Sequence, residues 1–174
     1  MSLDILSLNS EIKNRNGILL MPYSPLHAME IQVSNPEVLG SGQSAAEHMN
    51  CQAALGPAIT AVVNNSPLAV FGFIHYWSGM AEFWSMFDDR MRRYPKSMTH
   101  IARQFLYIAE RSEVLHRLQI TVKSDDIRAY RWAKALGFEE EGLMRKFLPD
   151  GSDSYMMARI RDEWTIEEAR YQRS

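Results

Sequence analysis

The stretch that most constrains this chain runs from Leu115 to Phe138, LHRLQITVKSDDIRAYRWAKALGF. Its first half alternates. Leu118, Ile120 and Val122 fall on one side and Gln119, Thr121 and Lys123 on the other, the two-residue period of a half-buried strand. Ser124, Asp125 and Asp126 follow, and their side-chain oxygens suit the free N–H groups of a starting helix. The residues after them predict that helix, with Ile127, Tyr130, Ala133 and Leu136 along one face and Arg128, Arg131 and Lys134 on a wetter neighbour. Gly137 is placed to end it, because a residue without Cβ enters the left-handed C′ conformation at no steric cost. Phe138 then returns to a core. The whole is one compact strand–helix unit closed by Gly-Phe.

The rest of the chain supplies partners for that unit. Gly17 to Met21 is a short apolar run before Pro22 and reads as a first strand. Pro25 opens a helix through about Val33, Pro being favoured in a first turn, and Asn35-Pro36 breaks it. Ser44 to Leu55 reads as a second helix, ended by Gly56-Pro57. A three-strand meander comes next: Ala58 to Val63, Leu68 to Trp77 and Ala81 to Phe87, with Asn64-Asn65-Ser66-Pro67 and Ser78-Gly79 as turns. Asp88 to Arg93 is a charged loop. From Pro95 or Ser97 a long helix places Met98, Ile101, Ala102, Phe105 and Ala109 on a buried stripe. After the Leu115–Phe138 unit, Gly142 to Leu148 and Tyr155 to Ile160 form a hairpin around Pro149-Asp150-Gly151-Ser152. Thr165 to Arg170 is a short terminal helix with Thr165 and Glu168 in capping-box spacing.

With 174 residues the chain reads as one domain over 1–174, its first sixteen residues a loosely attached segment. A formal net charge of −2 gives no electrostatic reason to expect nucleic acid or an anionic membrane as partner. Cys51 is the one cysteine, so neither an intrachain disulfide nor a thiolate cluster can form. His48 stands three residues from it without a further ligand, and no metal is expected. The start Met1-Ser2-Leu3-Asp4 lacks the basic region of a secretory leader, and no apolar run has membrane-spanning length. A cytoplasmic protein is the expectation.

The Leu115–Phe138 unit resembles the C-terminal half of the GNAT superfamily of N-acetyltransferases, where a strand leads to an Asn, then to a helix carrying Ala and Tyr, and ends in Gly-Phe. Asp126 falls at the Asn position, Ala129 at the Ala, Ala133 at the Tyr, and Gly137-Phe138 at the end. The order of elements from Gly17 to Asp162 is similar to that fold throughout. The resemblance implies a mixed α/β (α+β) class with a central, mostly antiparallel sheet flanked by helices. PLAVFGF in the meander and RAYRWAKALGF in the helix also resemble the GNAT-like proteins carried by tailed bacteriophages, some of them virion components.

The resemblance implies acetyl-CoA as co-substrate and an amine, on a small molecule or a protein, as acceptor. It places the pyrophosphate at the start of the helix after the meander, where a helix N-terminus offers N–H groups and a partial positive charge. That start is Arg92-Arg93-Tyr94-Pro95-Lys96-Ser97-Met98-Thr99. The family's closely spaced glycines are absent there, and Arg92, Arg93 and Lys96 would offset them with cationic side chains. The thioester carbonyl would be polarised by backbone N–H of Met86 and Phe87. Glu82 or His75 would accept the amine proton, and Tyr130 would stand in for the missing helix Tyr as leaving-group acid. The rival expectation is a phage-derived structural or interaction protein that keeps the fold with weak or no catalysis, working in a homo-oligomer or on a virion partner.

Overall fold

The computed structural model describes residues 9, 10, 17–33 and 44–161. Its elements are β1 (Ile18–Pro22), α1 (Pro25–Glu30), α2 (Ala45–Ala53), β2 (Ala58–Val63), β3 (Ser66–Trp77), β4 (Met80–Phe87), a 3₁₀ turn (Asp89–Arg93), α3 (Pro95–Ser112), β5 (Arg117–Lys123), α4 (Ile127–Ala135), β6 (Glu139–Met144) and β7 (Ser154–Ile160). The strands form a 7-stranded sheet in the order β1-β2-β3-β4-β5-β7-β6. Every neighbouring pair is antiparallel except β4 and β5. A mixed, mostly antiparallel sheet flanked by helices is what the sequence led us to expect.

The two faces of the sheet are filled separately. On one, Phe71, Phe73 and Phe83 meet Met98, Ile101, Ala102 and Phe105 of α3, with the Phe73 and Phe105 rings stacked at 4.9 Å between centroids. These α3 residues recur every three or four positions, the stripe that buries a helix against a sheet. On the other face Val70 and Trp84 pack against Ala28 and Ile31 of the α1 region and Met49 of α2. Here Gly72 is required by space, because a Cβ at that position would sit 2.5 Å from Cε2 of the Trp84 indole. Beyond β4 the pattern changes. In β5 the residues Leu118, Ile120 and Val122 are buried, while Arg117, Gln119, Thr121 and Lys123 on the opposite face keep partial access to solvent.

Three local expectations are corrected. Helix α1 stops at Glu30 rather than Val33, since Ile31 is already extended and Val33 bridges to Asp88. In α4 the expected stripe fails at Ile127, which is 62 % exposed. A spacing of three drifts around a helix of 3.6 residues per turn; the rest of the expected stripe holds, with Ala133 and Leu136 buried and Tyr130 partly packed against the core, and Ala129 joins them. Strand β6 begins at Glu139, directly after Phe138, and not at Gly142. Gly137 ends α4 with φ +90 as anticipated, and Ser44 forms a full capping box with Glu47 at the start of α2. The Asn35-Pro36 break, the Thr165–Arg170 helix and most of the 1–16 segment lie outside the described residues. No described helix is long and apolar enough to cross a membrane.

Candidate active site at the seam between β4 and β5

The parallel seam pairs Met80 with Arg117, Ala81 with Leu118 and Glu82 with Gln119, and goes no further. From there the two strands part. The direction of the backbone groups beside the gap follows from antiparallel alternation. Asp88 N–H donates to Leu68 carbonyl at 2.9 Å, and the register then makes Val70–Met86 and Gly72–Trp84 the hydrogen-bonded pairs. Met86 N–H is therefore turned toward β3. The amides of Ser85 and Phe87 are turned toward the gap. Met86 is corrected as a carbonyl-polarising donor; its side chain packs in the α1–α2 cluster. The Phe87 amide stays on the gap side, as does that of Ser85.

At the closed end, polar side chains from four strands form one row. Glu82 Oε2 accepts from Tyr76 Oη at 2.6 Å and from Gln119 Nε2 at 3.4 Å. Gln119 Oε1 in turn lies 3.3 Å from Arg117 Nη2. Arg117 is held by Glu141 through two bonds of 2.9 and 2.6 Å. The Glu82 carboxylate pushes the Tyr76 hydroxyl up to about 12, chiefly because the phenol proton is its hydrogen bond, with burial and like charge adding to it. His75 does not join this row. It pairs with Ala81, one position off Glu82's own partner Ile74, so it faces the α3 side, with Nε2 3.9 Å from Glu113 Oε2. The sheet itself separates the two candidate bases.

At the open end stand the starts of α3 and α4. The loop after β4 is shaped by Asp88, 3 % exposed. Its carboxylate accepts from Gln32 N–H at 2.9 Å and from Arg90 N–H at 2.8 Å, and pairs with the Arg90 guanidinium at 2.7 Å. Burial works to raise its pKa, but these donors outweigh it and hold the group down at about 2. The residues after it fold into the 3₁₀ turn rather than an open loop. Arg92 pairs with Asp89 at 3.3 Å on the surface. The Arg93 and Lys96 side chains are exposed and have no partner among the described residues. Helix α3 begins with Pro95 and has no side-chain cap.

The remaining candidates are placed as follows. Met98 is fully buried and its N–H donates to Tyr94 carbonyl, so it is corrected from a cofactor contact to a core residue. Ser97 lies beside it in the first turn. Thr99 Oγ1 donates to Pro95 carbonyl at 2.8 Å and accepts from Trp132 Nε1 at 3.2 Å. The Trp132 ring meets Phe87 edge-on at 5.0 Å between centroids, bracing α4 against α3 and the end of β4. Asp126 caps α4, its Oδ1 accepting from Ala129 N–H at 2.9 Å. Tyr130 is on the far flank of α4. Its hydroxyl donates to Glu140 at 2.8 Å and its ring rests on Tyr155 at 5.4 Å. Trp132, two residues on, points roughly 200° away around the helix. Tyr130 is thus corrected as a group reaching the gap.

No family model matches the sequence, and no curated protein matches it significantly. Solved structures match it in three dimensions. Ard1 from Thermoplasma volcanium superposes with a TM-score of 0.71 at 18% identity, over 84% of this chain and 99% of that one. A GNAT-family acetyltransferase from Bacillus anthracis gives 0.67 at 16%, over 86% and 98%. RimL, a ribosomal alpha-N-protein acetyltransferase in complex with coenzyme A, gives 0.66 at 17%, over 87% and 98%. The fold is that of the GNAT acetyltransferases. Within it, the sequence reading had passed over Tyr76, Ser85, Gln119 and Trp132. Gln119 was visible as an outward residue of an alternating strand opposite Glu82. Tyr76 and Trp132 carried no signal, since their roles depend on a bulge near the end of β3 and on how α3 and α4 approach.

Proposed function

We propose that the chain is an N-acetyltransferase that moves acetyl from acetyl-CoA to an amine by direct attack. The observation that carries the reading is the parted seam, with gap-facing amides above and the Glu82 carboxylate on the last paired rung. Acetyl-CoA fits this arrangement, because Arg93 and Lys96 stand ready at an uncapped helix start beside the gap. When bound it would supply the acetyl group as a thioester. Glu82 takes a proton from the amine, directly or through one water, and the amine nitrogen forms the new bond to the acetyl carbon. Ser85 or Phe87 N–H donates to the carbonyl oxygen as charge gathers there. The carbon–sulfur bond breaks, and the thiolate takes a proton from solvent, since Ala133 has no hydroxyl and Tyr130 is held elsewhere.

A second reading, an interaction module that keeps the fold without turnover, is favoured by one observation. Ala133, where the family resemblance implies Tyr, is 1 % exposed and packed in the core, and a 3₁₀ turn replaces the glycine loop. Thermal shift and calorimetry with acetyl-CoA, followed by thiol release against a panel of primary amines, separate the two. Under the enzyme reading a hundredfold excess over Kd raises stability by about 2.7 kcal/mol and at least one amine releases thiol. Absence of both heat and Tm change removes the enzyme reading and leaves the module.

A further inference from the structure

Glu82 stands on the last paired rung of the seam, opposite Gln119, and both residues are half-buried. Its two carboxylate oxygens meet different surroundings. Oε2 accepts twice, from the Tyr76 hydroxyl at 2.6 Å and from Gln119 Nε2 at 3.4 Å. Among the described residues nothing donates to Oε1. A carboxylate has room for about four donors, so this one is held on one side and left available on the other. The holders are themselves held. Arg117 lies two residues before Gln119 on the same face of β5, and its Nε and Nη2 donate to Gln119 Oε1 at 3.4 and 3.3 Å. An amide whose oxygen faces a guanidinium turns its NH₂ the other way, here toward Glu82. Arg117 is in turn fixed by both oxygens of Glu141.

A glutamate side chain turns about several bonds, and a base that must meet a nucleophile gains from losing that freedom beforehand. We propose that Tyr76 and Gln119 are positioning residues, which hold Oε2 of Glu82 so that Oε1 meets the acceptor amine, and that Arg117 sets the direction of the Gln119 amide. The assignment rests on the reading of Glu82 as general base above. The proton leaving the amine goes to Oε1 as the nitrogen bonds to the acetyl carbon, while Oε2 keeps its donors. The Tyr76 phenol, pushed up to about 12 chiefly by this hydrogen bond, remains a donor at neutral pH. Bond lengths rank the two holders. The Tyr76 bond is short and goes to a carboxylate, the stronger kind. Those around Gln119 are long for hydrogen bonds, so its share is the smaller.

The test follows thiol release by the full chain with an amine that the parent accepts, together with calorimetric affinity for coenzyme A and Tm. The variants are Tyr76→Phe, Gln119→Leu, Glu82→Gln and the Tyr76→Phe/Glu82→Gln pair. Tyr76→Phe keeps the ring beside Trp77 and removes only the hydroxyl. It should lower kcat by about tenfold, a part of the full worth of a general base, and Gln119→Leu by about threefold, with coenzyme A affinity and Tm held. In the Glu82→Gln background the Tyr76 substitution should cost much less, because no base is left to hold. Equal falls in both backgrounds, or a loss of Tm and coenzyme A affinity along with kcat, make Tyr76 a support of the fold and overturn the proposal. Unchanged kcat in Tyr76→Phe and Gln119→Leu, with Glu82→Gln inactive, overturns it too and leaves the base reading standing. A fall for Tyr76→Phe alone overturns the part given to Gln119 and Arg117. Full activity of Glu82→Gln overturns the base reading and the proposal together, as does a parent that turns over no amine.

Discussion

The two ends of the β4–β5 seam are built from different materials. The closed end is side-chain chemistry: Tyr76, Glu82, Gln119, Arg117 and Glu141 in a row across the strands. The open end is backbone and surface charge: gap-facing amides, an uncapped helix, and Arg93 and Lys96, which have no partner among the described residues. The difference teaches how a site can divide its labour. Proton transfer needs one carboxylate held in one place, whereas binding a large polyanion can be spread over many weak donors. Substitutions at the closed end should therefore act on chemistry, and those at the open end on affinity.

The sharpest way to break that division is Glu82→Gln. Loss of general-base catalysis should lower kcat by about 10²–10⁴-fold, read by thiol release with an amine that the parent accepts, while calorimetric affinity for coenzyme A stays unchanged. A variant that lost affinity and kept kcat would invert the assignment. Next in size is Asp88→Ala, which leaves the Gln32 and Arg90 N–H groups without their acceptor. Urea unfolding should show a loss of about 3 kcal/mol or more. The sign with pH follows from a depressed carboxylate. Its contribution is fully present above the ordinary value of 3.8 and is lost as pH falls toward about 2. The parent should shed about 2 kcal/mol over that window, and the variant should lack this component.

Arg93→Ala comes third. Its side chain has no partner among the described residues, so stability should hold while coenzyme A binds about tenfold more weakly and kcat at saturation is kept. Unchanged affinity would make Arg93 a solvated surface residue. The smallest effect is expected for Tyr130→Phe, which removes the bond to Glu140 and leaves the ring on Tyr155. Neither kcat nor Tm should move beyond error, and a hundredfold fall in kcat would show that the hydroxyl reaches the thiolate after all.

The meander, the long helix and the Gly137 stop were legible because each is local: alternation, a three-to-four stripe and a left-handed C′ glycine are written in neighbouring residues. Ala58 to Val63 came out with its ends unchanged. Glu82 was legible as a carboxylate on the right strand. Its holders were not, because Tyr76 reaches it only past the irregular register between His75 and Trp77. Met86 failed for a related reason. A strand's residue types do not say which amides face which neighbour; that needs one anchored hydrogen bond, here Asp88 to Leu68. Tyr130 does pack partly against the core, as its place on the stripe predicts, but its hydroxyl is turned to Glu140, a direction that spacing cannot give.

The short seam also bears on how the chain gains its shape. On one side of it β2, β3 and β4 follow one another through tight turns, and on the other β6 and β7 join through a short loop, connections whose closure needs little ordering. Joining the two groups requires β5 to find β4 across the whole of α3, for a reward of only three paired positions. Contacts of that kind form late, because the entropy of the long crossover must be met before they contribute. The gap that would admit a donor is thus the part of the sheet with the fewest backbone bonds across it, and amide exchange there should be fastest among the strands. A ligand bridging Phe87 and Thr121 would act as a missing strand, drawing two cooperative units into one.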